Sequence, residues 1–372
     1  MTRLRTVIVL MLAAGVLGVG LFQASREATS QQRFTLKIQA AWPTASQLYE
    51  SLKVFAERVD KLSGGRLKVE ALPAGAIVPA FEVLDATHKG VIDGAHAGTG
   101  YWIGKHRAAG LFGPTPGGPF GFDMLDFLGW VYEGGGAELW REFYQDVLRR
   151  NVVVMPMTQV SPQVLGWFKR PIKNWEDMKG LKCRQVATAA EIYKEAGMSV
   201  VSLPGGDIVP AGERGVIDCT EWWNPGEDMK MGFHNIWKYY YMPSAHEPAT
   251  VGELLINGDT WKKLPPDLQE IIKAAAAEVT LQFNALVMKA NATAIRELQE
   301  KHNVKILRTP DEIMTKQLQA WDKIAAADAA KDAFFKKVYD SQRAWAALIV
   351  PAKRAVTPPY QFIASHYWPE KK

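Results

Sequence analysis

No catalytic set can be assembled from this sequence. It has no Gly-x-Ser-x-Gly elbow and no His-Glu-x-x-His pair. Gly98-Thr99-Gly100 followed by Gly104 misses the dinucleotide-loop spacing by one residue. His88, His96, His106, His234, His246, His302 and His366 show no ligand-like spacing and read as surface or satisfied core histidines. Charge of one sign is also scarce: the net charge is +5 over 372 residues, with no lysine-arginine cluster, so no nucleic-acid partner is expected. Cysteine is limited to Cys183 and Cys219. An even count permits a disulfide in an exported chain, while two free, buried thiols fit equally well, and the pairing stays open. No apolar run after the N-terminus is long enough to cross a bilayer.

The composition is that of a globular protein, with 48% hydrophobic and 22% charged residues. The length favours two lobes over a single core. At the start, Arg3 and Arg5 precede an apolar run from Thr6 to Phe22, the layout of a secretory signal. No clean small-x-small cleavage site follows, so residues 1–25 are read as a signal peptide or an uncleaved N-terminal anchor. Either way the globular part is expected outside the cytoplasm.

Strand and helix patterns alternate from Phe34 onward. Phe34–Ala40 alternates like a strand. Leu48, Leu52, Phe55, Val59 and Leu62 follow at helical steps, Ser63-Gly64-Gly65 stops that helix, and Leu67–Leu72 is the next strand. This β-α-β unit predicts a parallel pair. A helix over 79–89 leads into Gly90-Val91-Ile92-Asp93, a tetrapeptide that recurs at Gly215-Val216-Ile217-Asp218. Val-Pro-Ala precedes each copy, which suggests two lobes built from similar α-to-β units; a chance match of four residues is the alternative. The Gly98–Gly136 stretch is too apolar for a solvated loop and should pack as a cleft rim. A helix is expected over 137–150, then a strand from Val152, broken by Pro156 and continuing toward Gln159. Thr188 and Glu191 have capping-box spacing, and Thr309, Pro310 and Glu312 mark another helix start.

The fold class is therefore α/β: a two-lobed, periplasmic-binding-protein-like fold with long C-terminal helices. Lobe 1 is assigned to 33–156, with part of 250–300, and lobe 2 to 157–249. Long helices over 266–349 would span the lobes or form a dimer interface. The 350–372 tail has no clear period.

The candidate site lies between Gly180 and Leu254. Two short apolar segments, Gly180–Val186 and Gly215–Asn224, carry Arg184 and Glu221. Strand alternation points Arg184 opposite Cys183 and Glu221 opposite Trp222. Glu247 follows in the loop-like Ser244–Pro248. Trp222, Trp223, Trp237 and Tyr239-Tyr240-Tyr241 surround them. Aromatic walls with a few convergent polar groups describe a small-molecule pocket. A structural Arg184–Glu221 ion pair, or an Arg184 that snorkels to solvent, is the plainer reading. The acids Glu227 and Asp228 are those a helix N-terminus favours without any chemistry.

The segment Trp175–Lys179 followed by Gly180-Leu181-Lys182-Cys183-Arg184 resembles the signature of solute receptors of tripartite ATP-independent periplasmic (TRAP) transporters. Gly215–Trp222, Gly232-Phe233-His234, Tyr239–Tyr241, Tyr101–Lys105 and Pro119–Phe122 are similar to the subgroup that binds 2-oxo or 2-hydroxy monocarboxylates with a metal ion. The resemblance runs from about residue 33 to 345. It implies a receptor rather than an enzyme, a small organic-acid ligand, TRAP permease membrane subunits as partners, and a possible homodimer. It also implies that Arg184 pairs with the ligand carboxylate and that Gln163 reaches both ligand and ion. Glu221, the Trp222 carbonyl and Glu247 would complete the ion's ligands. Tyr101, Trp222 and Asn224 join the ligand-binding set. Trp223-Asn224-Pro225 and Ser244-Ala245-His246 depart from the subgroup's usual residues.

The chemistry stands beside the resemblance. A guanidinium meets a carboxylate in a planar fork. Two glutamates beside a bound anion would repel it, and a hard cation with oxygen ligands, sodium or calcium, removes that conflict. No thiolate or imidazole pattern favours zinc. Two rivals remain: a membrane-anchored carboxylate-sensing domain, and an exported enzyme using Glu221 and Glu247 as acid and base.

Overall fold

The computed structural model describes residues 32–113, 118–160 and 162–369. The signal or anchor expected over 1–25 lies outside the described residues. Two sheets organise the chain. The first has the order β2-β1-β3-β10-β4, from β1 (Phe34–Ala40), β2 (Leu67–Leu72), β3 (Gly94–Ala97), β4 (Val152–Gln159) and β10 (Val251–Asn257). The second has the order β11-β9-β5-β8-β6-β7, from β5 (Gly166–Phe168), β6 (Lys182–Arg184), β7 (Ser199–Val201), β8 (Cys219–Thr220), β9 (Tyr239–Met242) and β11 (Lys305–Arg308). This is the two-lobed α/β class expected from the alternating patterns.

The β-α-β start follows from its residues. Leu36 and Ile38 turn one face of β1 inward, and β1 runs parallel to both β2 and β3. Helix α1 (Gln47–Leu62) buries Leu48, Leu52, Phe55 and Val59, and Ser46 caps it by accepting from the Leu48 N–H. β10 is buried along its length, between its antiparallel neighbours β3 and β4. β4 continues through Pro156 rather than breaking there. Proline has no N–H to donate, and the β10 register shifts between Val251 and Glu253, beside the Pro156 pairing.

The recurring tetrapeptide forms the same device twice. Asp93 exchanges backbone and side-chain bonds with Lys37 of β1: its N–H donates to the Lys37 carbonyl (2.9 Å) and its Oδ2 accepts from the Lys37 N–H (2.9 Å). Asp218 does the same with Lys182 of β6, at 2.6 Å and 3.1 Å. Gly90 and Gly215 both sit in the left-handed region, at φ 70° and 68°, which explains the glycine that opens each copy.

Several local expectations shift. The helix expected over 137–150 is an α-helical turn set (Gly136–Glu142) that runs into a π-helix (Phe143–Val147). Helix α2 (Ala187–Glu195) has Val186 at its N-cap and no side-chain cap, so Thr188 and Glu191 do not form a capping box; Glu191 instead pairs with Lys194 at 3.0 Å. Helix α3 (Pro225–Met231) is capped by Asn224. Helix α4 (Pro266–Glu300) is long and apolar enough for a membrane span, yet buries Leu268, Ile272, Val279 and Phe283 inside the protein. It reaches the sides of both sheets. Thr280 Oγ1 accepts from the Thr158 N–H (3.0 Å) of β4, which belongs to the first sheet although the boundary read from the sequence starts lobe 2 at 157, and Asn291 Oδ1 accepts from the Gly226 N–H (2.9 Å) of α3. Helices α5 (Asp311–Lys331) and α6 (Ala333–Val356) follow, and α6 runs through Pro351. The tail is therefore not without structure: α7 (Tyr360–Tyr367) is helical.

Cys183 and Cys219 are joined as a disulfide between β6 and β8, with their Cα atoms 4.6 Å apart. It closes a loop of 36 residues. Replacing both cysteines (C183A/C219A) is expected to lower unfolding stability by about 3–4 kcal/mol, the chain entropy of a closure of this length. Thermal melts of oxidised wild type and variant measure this; equal midpoints would mean that the bond adds nothing.

Candidate functional site

The strand ends of both sheets converge on one cavity. β3 ends at Ala97 and delivers Gly98, Gly100 and Tyr101; β6 ends at Arg184; β8 ends at Thr220 and delivers Glu221 and Trp222. Two of the connections between the sheets, after β4 and before β10, pass side by side. The Val160 N–H donates to the Thr250 carbonyl (2.9 Å), and the Gln163 N–H to the Glu247 carbonyl (3.1 Å). Gln163 and Glu247 therefore enter the cavity from the crossovers themselves. Trp42, Leu48, Val160, Val186, Ala187 and Thr250 complete the walls of a cavity of about 50 Å³.

Arg184 does not snorkel; it is 1% exposed. Its Nη1 donates to the Glu221 carbonyl (2.7 Å) and its Nε to the Leu203 carbonyl (3.1 Å). Its guanidinium carbon stands 5.0 Å from the Trp222 ring centre, and the Tyr101 hydroxyl is within hydrogen-bonding reach. The ion pair considered from sequence is present as well, with Arg184 Nη1 3.5 Å from Glu221 Oε2. The disulfide lies on the opposite face of β6, so it ties together the two strands that carry Arg184 and Glu221 without entering the cavity.

The acceptors outnumber the donors. Glu221 and Glu247 are both buried, and burial pushes each carboxyl above its ordinary range; the Arg184 charge opposes this in both. The Glu221 charge adds to the rise at Glu247. Among the described residues, Gln163 Oε1, Glu221 Oε1, Glu247 Oε1 and His246 Nε2 are buried without a hydrogen-bond partner. His246 is the residue that sequence reasoning missed. Burial lowers its pKa to about 3, which keeps the ring neutral. Its Nδ1 lies 2.7 Å from Ser244 Oγ, and Ser244 donates onward to Gln317 Oε1 (3.4 Å). That chain places the ring proton on Nδ1 and leaves the Nε2 lone pair facing Glu221 Oε1 at 4.0 Å. The one available signal was adjacency to Glu247, in a loop without a period.

A cation fits this donor set. Ligand atoms of Glu221, His246 and Glu247 all lie within 4.8 Å of one another. Two ligands on one calcium, each about 2.3–2.6 Å from it, can stand that far apart. Lone pairs that face one another in a dry site cost free energy unless something positive lies between them.

Two further observations concern neighbours. Asn224 does not line the cavity; its Oδ1 accepts from the Glu227 N–H (3.1 Å) and caps α3. Glu227 and Asp228 do stand in the first turn of α3, as the sequence placed them, but both are fully buried. Asp228 is buried, accepts from Trp167 Nε1 (2.9 Å), Tyr240 (2.8 Å) and the Trp223 N–H (3.2 Å), and burial pushes its pKa up to about 8. Glu227 accepts from Trp222 Nε1 at 2.8 Å. Ala187, which lines the cavity at the uncapped start of α2, has φ 53°, a strained value for a residue with a side chain.

Two lobes around a buried, charged cavity fit a solute receptor. The chain belongs to the bacterial extracellular solute-binding proteins of family 7 (DctP), whose profile matches residues 38–333. This is a family of receptors, not of enzymes. A monocarboxylate 2-oxoacid-binding periplasmic protein of Nostoc is 32% identical over 333 residues, 88% of each chain. A TRAP transporter solute-binding protein from Bordetella bronchiseptica superposes with TM-score 0.85 at 27% identity, covering 90% of this chain and 99% of that one. It was solved as a dimer of mixed occupancy with copurified calcium and picolinate. A TRAP solute-binding protein from Pseudoalteromonas atlantica, with sodium and pyruvate bound, superposes with TM-score 0.82 at 29% identity, covering 89% and 99%.

Calcium, sodium and zinc added singly to chelator-treated protein test the cation site. Calcium is expected to raise the melting midpoint of wild type, and Glu247→Gln is expected to abolish the rise. No shift with any of the three ions would mean that the acceptors are met by protons.

Proposed function

We propose that this receptor binds a small 2-oxo or 2-hydroxy monocarboxylate between its lobes, with a bound sodium or calcium ion, and delivers it to the membrane subunits of a TRAP permease. The observation that carries the reading is the buried guanidinium of Arg184, set among acceptors that have no donor of their own. The Nε and Nη1 bonds to backbone fix its orientation. The Nη2 edge is then the part offered to a ligand carboxylate, with the Tyr101 hydroxyl beside it. Glu221, Glu247, Gln163, His246 and the Trp222 carbonyl are the groups that would hold the ion. When bound, the ion supplies positive charge that offsets the carboxylates and attracts the ligand's 2-oxo or 2-hydroxy oxygen. Trp42, Tyr101 and Trp222 give the ligand's tail an apolar wall. The Nostoc, Bordetella and Pseudoalteromonas relatives support the ligand class, since their names or bound molecules are 2-oxo acids or a ring carboxylate.

Calorimetric titration with pyruvate, lactate and longer 2-oxo acids, with and without calcium, tests this reading. Wild type is expected to bind at least one of them. Arg184→Ala is expected to weaken binding by 100-fold or more, about the loss of two charge-assisted bonds. Normal binding by that variant would remove Arg184 from the site, and no binding of any carboxylate by wild type would remove the ligand class.

A homodimer completes the proposal. Leu281 and Met288 on α4 and Phe362 and Trp368 at α7 are exposed apolar groups, and a second copy is the occupant suggested by the Bordetella dimer. Light scattering after size exclusion is expected to give twice the chain mass; a single-chain mass would exclude it.

A further inference from the structure

We propose that Glu227 is the closure latch of this receptor: a carboxylate carried by the second lobe that caps the first lobe's helix α1 when the halves meet, and so sets how long the ligand stays. The proposal rests on the ligand-binding reading above.

The two partners belong to different lobes. Glu227 rides on α3, whose next residue, Asp228, is tied to Trp167 of β5 and Tyr240 of β9. Ser46 and Gln47 begin α1, which follows β1 of the first sheet. Across 181 residues of chain, Glu227 Oε1 accepts from Ser46 Oγ at 2.5 Å, and across 180, Glu227 Oε2 accepts from the Gln47 N–H at 2.7 Å. Ser46 itself caps α1 through the Leu48 N–H at 3.0 Å. A local capping box would place an acid three residues after Ser46, but Tyr49 stands there. Glu227 brings a carboxylate from the other lobe to the positive end of this 16-residue helix, where it takes the Gln47 N–H, while the Ser46 N–H donates to the Pro43 carbonyl. The same Oε1 accepts from Trp222 Nε1, and the Trp222 ring covers Arg184.

Opening the cleft breaks the bonds to Ser46 and Gln47 and leaves the one to Trp222. The carboxylate therefore favours the closed form and couples it to the Trp222 ring. Glu227 lies outside the residues that line the cavity, so altering it removes no contact with ligand or ion. It is a positioning residue, and its mark is an effect on dissociation without an effect on preference among ligands.

The test compares wild type, Glu227→Gln, Ser46→Ala and the double variant. Ligand release is followed by stopped-flow tryptophan fluorescence, and ligand-free stability by thermal melts. Interlobe distance is read from a spin-label pair, one label in each lobe. Glu227→Gln is expected to release ligand about tenfold faster, the usual size for losing one charge-assisted bond. Its order of preference among 2-oxo and 2-hydroxy acids should match wild type, and its ligand-free melting midpoint should stay within about 2 °C. The double variant should release ligand no faster than Glu227→Gln alone. An unchanged release rate, or a ligand-free midpoint that falls in step with affinity, would overturn the latch. If wild type binds no carboxylate, the ligand reading fails by itself. The spin-label distances of ligand-free protein then decide the latch: Glu227→Gln must shift them toward the open form, and identical distances would refute it.

Discussion

A guanidinium that has given up its water has to find its compensation inside the protein. Arg184 does so in a way that leaves a deficit. Its attraction is divided among the Glu221 and Leu203 carbonyls, the Trp222 ring and the Glu221 carboxylate. Glu247 stands in the same enclosure, and His246 is held neutral. Two carboxyl groups thus face one fixed cation, before any anionic ligand arrives. Leaving such charge unbalanced in a dry site costs several kcal/mol. Protonation of a carboxyl or a bound cation are the available remedies, and the unpartnered oxygens of Gln163, Glu221 and Glu247 favour the second.

The architecture makes that balance depend on closure. Tyr101 and Trp42 come from the first lobe, Arg184 and Glu221 from the second, and Gln163 and Glu247 from the crossovers between them. No single lobe holds the full set. A rotation about the crossovers would move Arg184 and Glu221 relative to Trp42 and Tyr101, so on the proposed reading ligand, cation and closed form would stabilise one another by linkage.

Legibility in the sequence followed the range of the interactions. Arg184 and Glu221 could be found because a charged residue at the end of a short apolar strand is conspicuous, and the alternation that opposes Arg184 to Cys183 is local. The recurrence of Gly-Val-Ile-Asp was legible as well, whereas the bonds that Asp93 and Asp218 make to Lys37 and Lys182 emerged only with the folded strands. His246 was not legible, since its place beside Glu221 depends on a loop path and on a proton chain through Ser244 to Gln317. Glu227 was legible as a helix-start acid, but not as the partner of Ser46 and Gln47, which are close only in the folded chain. Asn224 was misplaced for the opposite reason: a strictly local cap to Glu227 claims the side chain that a ligand was expected to meet. Pro351 and Thr188 show the limits of local rules. Beyond the proline, Lys353 of α6 is tied to Asp123 and Asp126, and α2 starts two residues too early for Thr188 to cap it.

The same charge arithmetic bears on which acids the cavity can accept. Arg184 is the one basic side chain among its described lining residues, and the remaining wall is mostly aromatic and aliphatic. On the proposed reading, one carboxylate and its neighbouring oxygen are met by Arg184 and the ion. A second carboxylate at the far end of a ligand would then lie against Trp42, Leu48 and Val186, where the Trp42 indole N–H is buried without an acceptor but no cation stands to balance the charge. An uncompensated buried charge weighs against binding more heavily than an added methyl group helps it. Selectivity for monocarboxylates over dicarboxylates would then arise from what the far wall lacks, while the choice among short and branched tails would fall to the shape left by the aromatic rings.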